Sequence, residues 1–239
     1  MTRNRAYEFH GPMEDAAEVY DAVFKAGQEF GIQRLGWNTY WVNHTEGGFP
    51  QNTGHFITPF ETDIVAKMGI TGSVDPTNMR ARYRTPVEVD WGNLAKHDLE
   101  YIGRKAIEAE LANPKRTTVT LKWNAQDVMD VWATWLKPGD ELPLLSMPHA
   151  PNGWNRGAHQ DYVLLNNKEV GYSSGIIYSY YFREFLSLGC VDINVSALGT
   201  ELNVRWGNYG GKNLDIRATV SPLPYLSKGK FGQPDIVFE

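Results

Sequence analysis

The chain has 239 residues, 42% hydrophobic and 21% charged, with a net charge of −5. It can therefore bury a sizeable core, is not disordered, and lacks the basic character of a nucleic-acid binder. Its one cysteine, Cys190, excludes an intrachain disulfide framework, no apolar run reaches the roughly 18 residues of a membrane span, and the N-terminal stretch is too polar for a signal sequence. A cytoplasmic protein that engages neither nucleic acid nor membrane is expected.

In chain order, residues 6–10 read as a short strand. Gly11-Pro12 opens a helix with Glu14 and Asp15 at its positive end, and Ala16, Val19, Tyr20, Val23, Phe24 and Gly27 recur at helical spacing until Phe30-Gly31. One face of this helix is expected to be buried. Residues 35–43 read as extended, which makes a β-α-β unit, and Glu46-Gly47-Gly48-Phe49-Pro50 breaks it. Thr58-Pro59 starts a helix over residues 60–68, residues 71–86 are loop-rich, and a helix over about 104–111 stops before Asn113-Pro114. Beyond Pro114, residues 117–123 alternate as a strand and 126–136 read as a helix, followed by a Pro/Gly-rich excursion over 138–157. Strand-like runs at 162–165, 169–174, 186–195, 201–206 and 214–220 then follow, with turns at Asn166-Asn167-Lys168 and Leu198-Gly199. Such spacing suggests a small antiparallel barrel or sandwich. The class is α+β, with a boundary dividing residues 1–113 from 114–239.

No phosphate-binding loop, dinucleotide fingerprint, zinc-protease motif or nucleophile elbow is present. His10, His44, His55, His97, His149 and His159 show no metal spacing and read as surface or loop residues. Cys190 reads as a small buried hydrophobe. Arg80, Arg82 and Arg84 alternate along what reads as extended chain, either as a solvated edge or as a cradle for an anionic tail. The aromatic content of 13% suits flat ligands and a β-rich core equally well. It is densest between Gly36 and Pro50, where Trp37, Tyr40, Trp41 and Phe49 lie close in sequence. That stretch could stack a flat ring or be a buried strand.

Several stretches recur in order. They are Glu8-Phe9-His10-Gly11-Pro12; the helix ending Ala26-Gly27-Gln28-Glu29-Phe30-Gly31; Gly36 with Tyr40; and Asn43 with Glu46 and Gly48. Then come Ile102-Gly103-Arg104, Gly199-Thr200-Glu201-Leu202 with Trp206-Gly207, and Ile216-Arg217-Ala218-Thr219-Val220-Ser221-Pro222 with Pro224-Tyr225. Together they resemble the aminomethyltransferase (glycine-cleavage T-protein) superfamily, above all its tetrahydrofolate-dependent vanillate and syringate O-demethylases. The resemblance implies the C-terminal half of such an enzyme: part of a folate-binding α+β domain, then a small antiparallel β-barrel domain. It implies tetrahydrofolate as cofactor, a methoxylated aromatic acid as methyl donor, and a fragment or subunit inactive alone. The missing N-terminal half as a separate subunit, or self-association, is the expected partner. By the same resemblance Tyr40 stands beside the methoxy oxygen as proton donor, Glu8 holds the pterin, and Phe49 lines the folate where the demethylases carry tryptophan. Trp37, from the same aromatic stretch, is grouped with the folate-binding residues. Asn38-Thr39 occupy the place of an Arg-Asp pair of glycine-cleavage enzymes, which disfavours aminomethyl transfer. A non-catalytic folate-binding or assembly protein, or a glycine-cleavage-type aminomethyltransferase, remains the alternative.

Overall fold

The computed structural model describes residues 7–59, 68–94, 98–139, 141–145 and 157–225. Its centre is built from six strands: β2 (Arg116–Trp123), β3 (Gly157–Leu165), β4 (Lys168–Ser179), β5 (Glu184–Asp192), β6 (Glu201–Gly207) and β7 (Asn213–Ser221). They pair antiparallel in the order β3-β4-β5-β2-β7-β6, and β6 returns to β3 through Val163↔Val204 and Leu164↔Asn203. The sheet thus closes into a barrel, which leaves these six strands without an unpaired edge. A short β1 (Gly69–Thr71) adds parallel to the start of β3.

The barrel follows directly from period-2 patterning. Val119, Leu121 and Trp123 of β2 meet Leu202, Val204 and Trp206 of β6 and Ile216, Ala218 and Val220 of β7 in one buried cluster. Trp123 and Trp206 pack edge to face at 5.9 Å, and the Trp206 indole donates to the Pro143 carbonyl at 2.7 Å. Helix α5 (Ala125–Thr134) adds Val128 and Val131 to this core. Its N-cap, Asn124, accepts from the backbone N–H of Gln126 and Asp127 at 3.0 and 3.1 Å. Asn166 and Asn167, at φ of 52° and 62°, turn β3 into β4. Both lie in the left-handed region that a two-residue hairpin turn demands. Strand β4 runs further than the expected residues 169–174 because a bulge at Gly175, with φ of 63°, re-aims it and lets pairing resume at Ile177. Conversely, β5 ends at Asp192, since Ile193–Val195 turn into a 3-10 helix.

Before the barrel, helices α1 (Ala16–Gly27), α2 (Trp37–Glu46), α3 (Met79–Arg82) and α4 (Arg104–Ala112) occur among the described residues. Here the structure corrects the β-α-β reading. Residues 7–10 form no strand, and residues 37–43 belong to α2 rather than to an extended segment. Trp37, Tyr40, Trp41 and His44 fall at i, i+3, i+4 and i+7, so one helical face gathers all four rings. Their β propensity yields to that packing. Helix α1 forms as expected and closes at Gly31, whose φ is 72°, but none of its residues is buried. Its apolar face lies open, because no element within the described chain covers it. The helix expected at 60–68 lies outside the described residues except for Met68, which is buried without regular structure.

Arg80, Arg82 and Arg84 likewise do not alternate along extended chain. Arg80 and Arg82 sit on the single turn of α3, capped by Asn78, and Arg80 pairs with the buried Glu88. Arg84 donates to the carbonyls of Arg80 and Ala81, both at 2.8 Å, and to Gln160 Oε1 at 3.1 Å. It thereby closes the carbonyl end of that turn. Arg82 donates to the Met68 carbonyl.

Candidate functional site

The candidate site is the exposed end of α2 and the turn after it. Helix α2 begins at Gly36 and is fastened at its far end. The Thr45 hydroxyl donates to the Gly175 carbonyl on β4 at 2.8 Å, and the buried Glu46 accepts from the Ser179 hydroxyl. His55 completes the joint. Its Nδ1 accepts from the Gln51 backbone N–H at 2.9 Å, so its Nε2 carries the proton and meets the Thr45 hydroxyl oxygen at 3.3 Å. Complete burial, reinforced by His44 nearby, pushes the His55 pKa down to about 3. The Gln160 side-chain amide donates to the His55 carbonyl at 2.6 Å. Gly175 is required beneath this ring, since a Cβ there would lie 2.1 Å from His55 Nε2.

From this anchor the aromatic rings form a continuous wall. Trp37 stacks on Tyr40 at 5.2 Å, Tyr40 meets His44 at 4.3 Å, and His44 meets Phe49 at 5.7 Å. Phe49 in turn stacks on Trp91 at 5.1 Å, while Trp41 stands edge-on to both Trp37 and Tyr40. His44 Nδ1 donates to the Phe49 carbonyl at 3.1 Å, which ties the turn to the helix. Trp37 is 50% exposed and Tyr40 and Phe49 are partly buried, whereas Trp41 and His44 are buried behind them.

Three of the four expected site residues, Trp37, Tyr40 and Phe49, therefore belong to one ring cluster. The fourth, Glu8, lies on the exposed segment before α1 with His10 at 3.4 Å, close enough for its charge to act on Tyr40. The Tyr40 phenol is raised above its ordinary pKa, first by burial and then by the Glu8 carboxylate. Among the described residues its hydroxyl has no hydrogen-bond partner.

The sequence places Trp41 in the aromatic stretch without a site role, and it does not mark His44, His55 or Trp91 as site residues. His44 and His55 are buried, not on the surface, and His159 is buried too, bonded to Asp161 at 2.9 Å. For His44 and Trp41 the signal was the i+4 and i+7 spacing from Trp37. For His55 and Trp91, which reach the site through loops, no local spacing announced the contact. His97 and His149 lie outside the described residues. Among the described residues no three His, Cys, Asp or Glu side chains are grouped to hold a metal, and no helix is long and apolar enough to cross a membrane. Cys190 is buried as expected, and burial raises its thiol pKa.

No family model matches the chain. It is, however, 34% identical over 258 residues to the sesamin methylene transferase of Sinomonas sp. (strain No.22), covering 99% of this chain and 57% of that protein. It is 27% identical over 256 residues to the syringate O-demethylase of Sphingobium sp. (strain NBRC 103272 / SYK-6), covering 98% of this chain and 55% of that one. The likeness to both enzymes runs over nearly the whole of this chain. The chain spans about half the length of these curated relatives. A crystal structure of the glycine cleavage system aminomethyltransferase T from Bartonella henselae superposes with a TM-score of 0.49 at 16% identity, over 88% of this chain and 44% of that one.

Proposed function

We propose that this chain supplies the proton-donor wall of a tetrahydrofolate-dependent O-demethylase or related one-carbon transferase acting on a methoxylated aromatic acid. The observation that carries the reading is Tyr40: a partly buried phenol whose hydroxyl has no hydrogen-bond partner among the described residues, set in a wall of flat rings. Breaking an aryl–O–methyl bond leaves a phenolate, and a phenol of similar acidity is matched to protonate it. Burial and the Glu8 charge hold Tyr40 as the neutral phenol, the protonation state a donor needs. One relative is named a sesamin methylene transferase and the other a syringate O-demethylase, which supports one-carbon transfer, and the second name supports the aromatic acid.

The residues present fit a folate. Trp37 and Phe49 offer ring faces for stacking, and Glu8 offers a carboxylate that can accept two parallel N–H bonds. When bound, tetrahydrofolate supplies a ring nitrogen that receives the one-carbon unit. The chain's own part is to hold the aromatic substrate against the wall, to exclude water behind it through Trp41 and His44, and to deliver the Tyr40 proton to the departing oxygen.

The site is completed, on this reading, by a complementary polypeptide corresponding to the remaining length of the relatives, whether continuous or a separate subunit. The 239-residue chain alone is then inactive, because catalysis needs a whole constellation in place. Turnover of vanillate or syringate by the purified chain would contradict this. With the complementary half supplied, Tyr40→Phe is expected to lower kcat by about 10²–10⁴-fold, the range of a general acid, while tetrahydrofolate affinity stays nearly unchanged. A normal kcat would reduce Tyr40 to a packing residue. Folate binding without any turnover in the completed protein would favour a non-catalytic folate-binding role.

A further inference from the structure

Helix α1 is regular, yet it buries none of its own residues. It has 12 residues, and an isolated helix of that length is marginal in water even when built from good helix formers. Its principal neighbours among the described residues are the 3-10 turns that flank it, Met13–Asp15 and Gln28–Phe30, and neither contains a buried residue. The apolar surface is continuous all the same. Phe9, Met13, Val19, Tyr20, Val23 and Leu35, all exposed, line one groove of about 720 Å³. Contiguous apolar surface on this scale marks an interaction face.

Two observations specify what covers it. The first is length. The matches take in 57% and 55% of the two curated relatives, so 43% and 45% of those proteins lie outside them. That much polypeptide has no counterpart in this chain, and α1 lacks the packing that would hold it in place. The second is charge. From Met13 to Gly27 the helix and its entry turn carry Glu14, Asp15, Glu18 and Asp21, all exposed, against the single cation Lys25. A second copy seated here would bring the same carboxylates to the same seam, whereas a partner with basic flanks is attracted to it.

We propose that the α1 groove is the docking surface for the complementary polypeptide that corresponds to the unmatched length of the relatives, entered by an apolar ridge with basic flanks. The inference rests on the reading of this chain as one part of a one-carbon transferase. It adds where the parts meet and what their meeting does at the site. Phe9 and His10 line the groove and directly follow Glu8 in the chain. A partner seated on them fixes the Glu8 segment, whose carboxylate acts on Tyr40. Assembly and completion of the proton-donor wall are thereby a single event.

The test is co-expression of the tagged full chain with the part of the Sinomonas sesamin methylene transferase that lies outside the match, followed by hydrogen exchange. The two are expected to purify together, with the amides of α1 exchanging at least about tenfold more slowly than in the chain alone. Val19→Asp combined with Val23→Asp empties no core, since α1 buries nothing. It should cut recovery of the complex about tenfold while the barrel's unfolding midpoint stays unchanged. Glu18→Lys combined with Asp21→Lys should cut recovery severalfold. A complex that survives the paired valine substitutions at full yield would overturn the groove as docking surface, and so would α1 amides already protected in the chain alone. Full yield after the charge reversal would overturn the basic flanks. Failure to purify together would overturn the inference and leave the one-carbon-transferase reading to folate binding by the chain itself. Turnover by a mixture in which the α1 amides stay unprotected would uphold that reading and overturn this one.

Discussion

The barrel and the α1 unit use the same kinds of residue to opposite ends. In the barrel, Leu121, Val163, Val204, Trp206 and Ile216 are fully enclosed, and even the outward Thr118 of β2 is covered, its hydroxyl donating to the Glu88 carbonyl at 2.5 Å. In α1, Val19, Tyr20 and Val23 are 40%, 52% and 38% exposed, although their spacing is as regular as that of any barrel strand. Tyr20 stacks on Phe24, with the Arg34 guanidinium 4.5 Å from the Phe24 ring. A groove of about 720 Å³ runs between α1 and the segments beside it, lined by Phe9, Met13, Val19, Val23, Phe24 and Ile32. Amphipathic patterning states that a face seeks a partner. It does not state that the partner lies in the same chain.

The sharpest test of this contrast is truncation. Trp206→Ala, which removes a fully enclosed ring that also donates to Pro143, is expected to cost about 3–5 kcal/mol in urea unfolding. Tyr20→Ala on α1 should change the same midpoint by no more than about 0.5 kcal/mol, as surface substitutions do. Comparable losses would mean that α1 is folded against the rest of the chain.

The joint between the regions should be sensitive to acid. The folded His55 pKa lies at about 3 against the ordinary 6.5. Between those values the unfolded chain binds the proton that the folded chain refuses, so stability is complete above pH 6.5 and falls as pH drops toward 3. The slope is up to about 1.4 kcal/mol per pH unit, or about 2 kcal/mol by pH 5. Burial also lowers the His44 pKa, which works in the same direction. Thermal unfolding from pH 7 to 5 checks this, and His55→Asn should flatten the dependence.

A smaller effect is expected in solution behaviour. An uncovered apolar helix face promotes association, so light scattering at micromolar concentration should detect species above the 27.0 kDa monomer. Replacing Val19 and Val23 with serine should reduce them. A clean monomer with α1 protected in hydrogen exchange would show that the chain covers this face by itself.

The barrel was largely legible in the sequence because alternation and turn chemistry are local. The Asn166-Asn167 turn and the strands around Thr117, Leu202 and Ile216 announce themselves within a few residues, and Gly31 likewise announces the end of α1. The stretch from Trp37 to His44 was harder to read. Its residues favour a strand by propensity and a helix by spacing, and only the one-sided packing of its rings decided for the helix. Family likeness pointed to Glu8, Tyr40 and Phe49, and the dense aromatic stretch to Trp37. Tertiary structure alone brought Phe49 to Tyr40 by way of His44, buried His55 beneath β4, and paired Arg80 with Glu88, Arg82 with the Met68 carbonyl and Arg84 with the carbonyls of its own turn. The reason is physical. Periodicity is written in neighbouring residues, whereas ring contacts, the withdrawal of water that lowers a histidine pKa and the pairing of a buried charge depend on segments far apart in the chain.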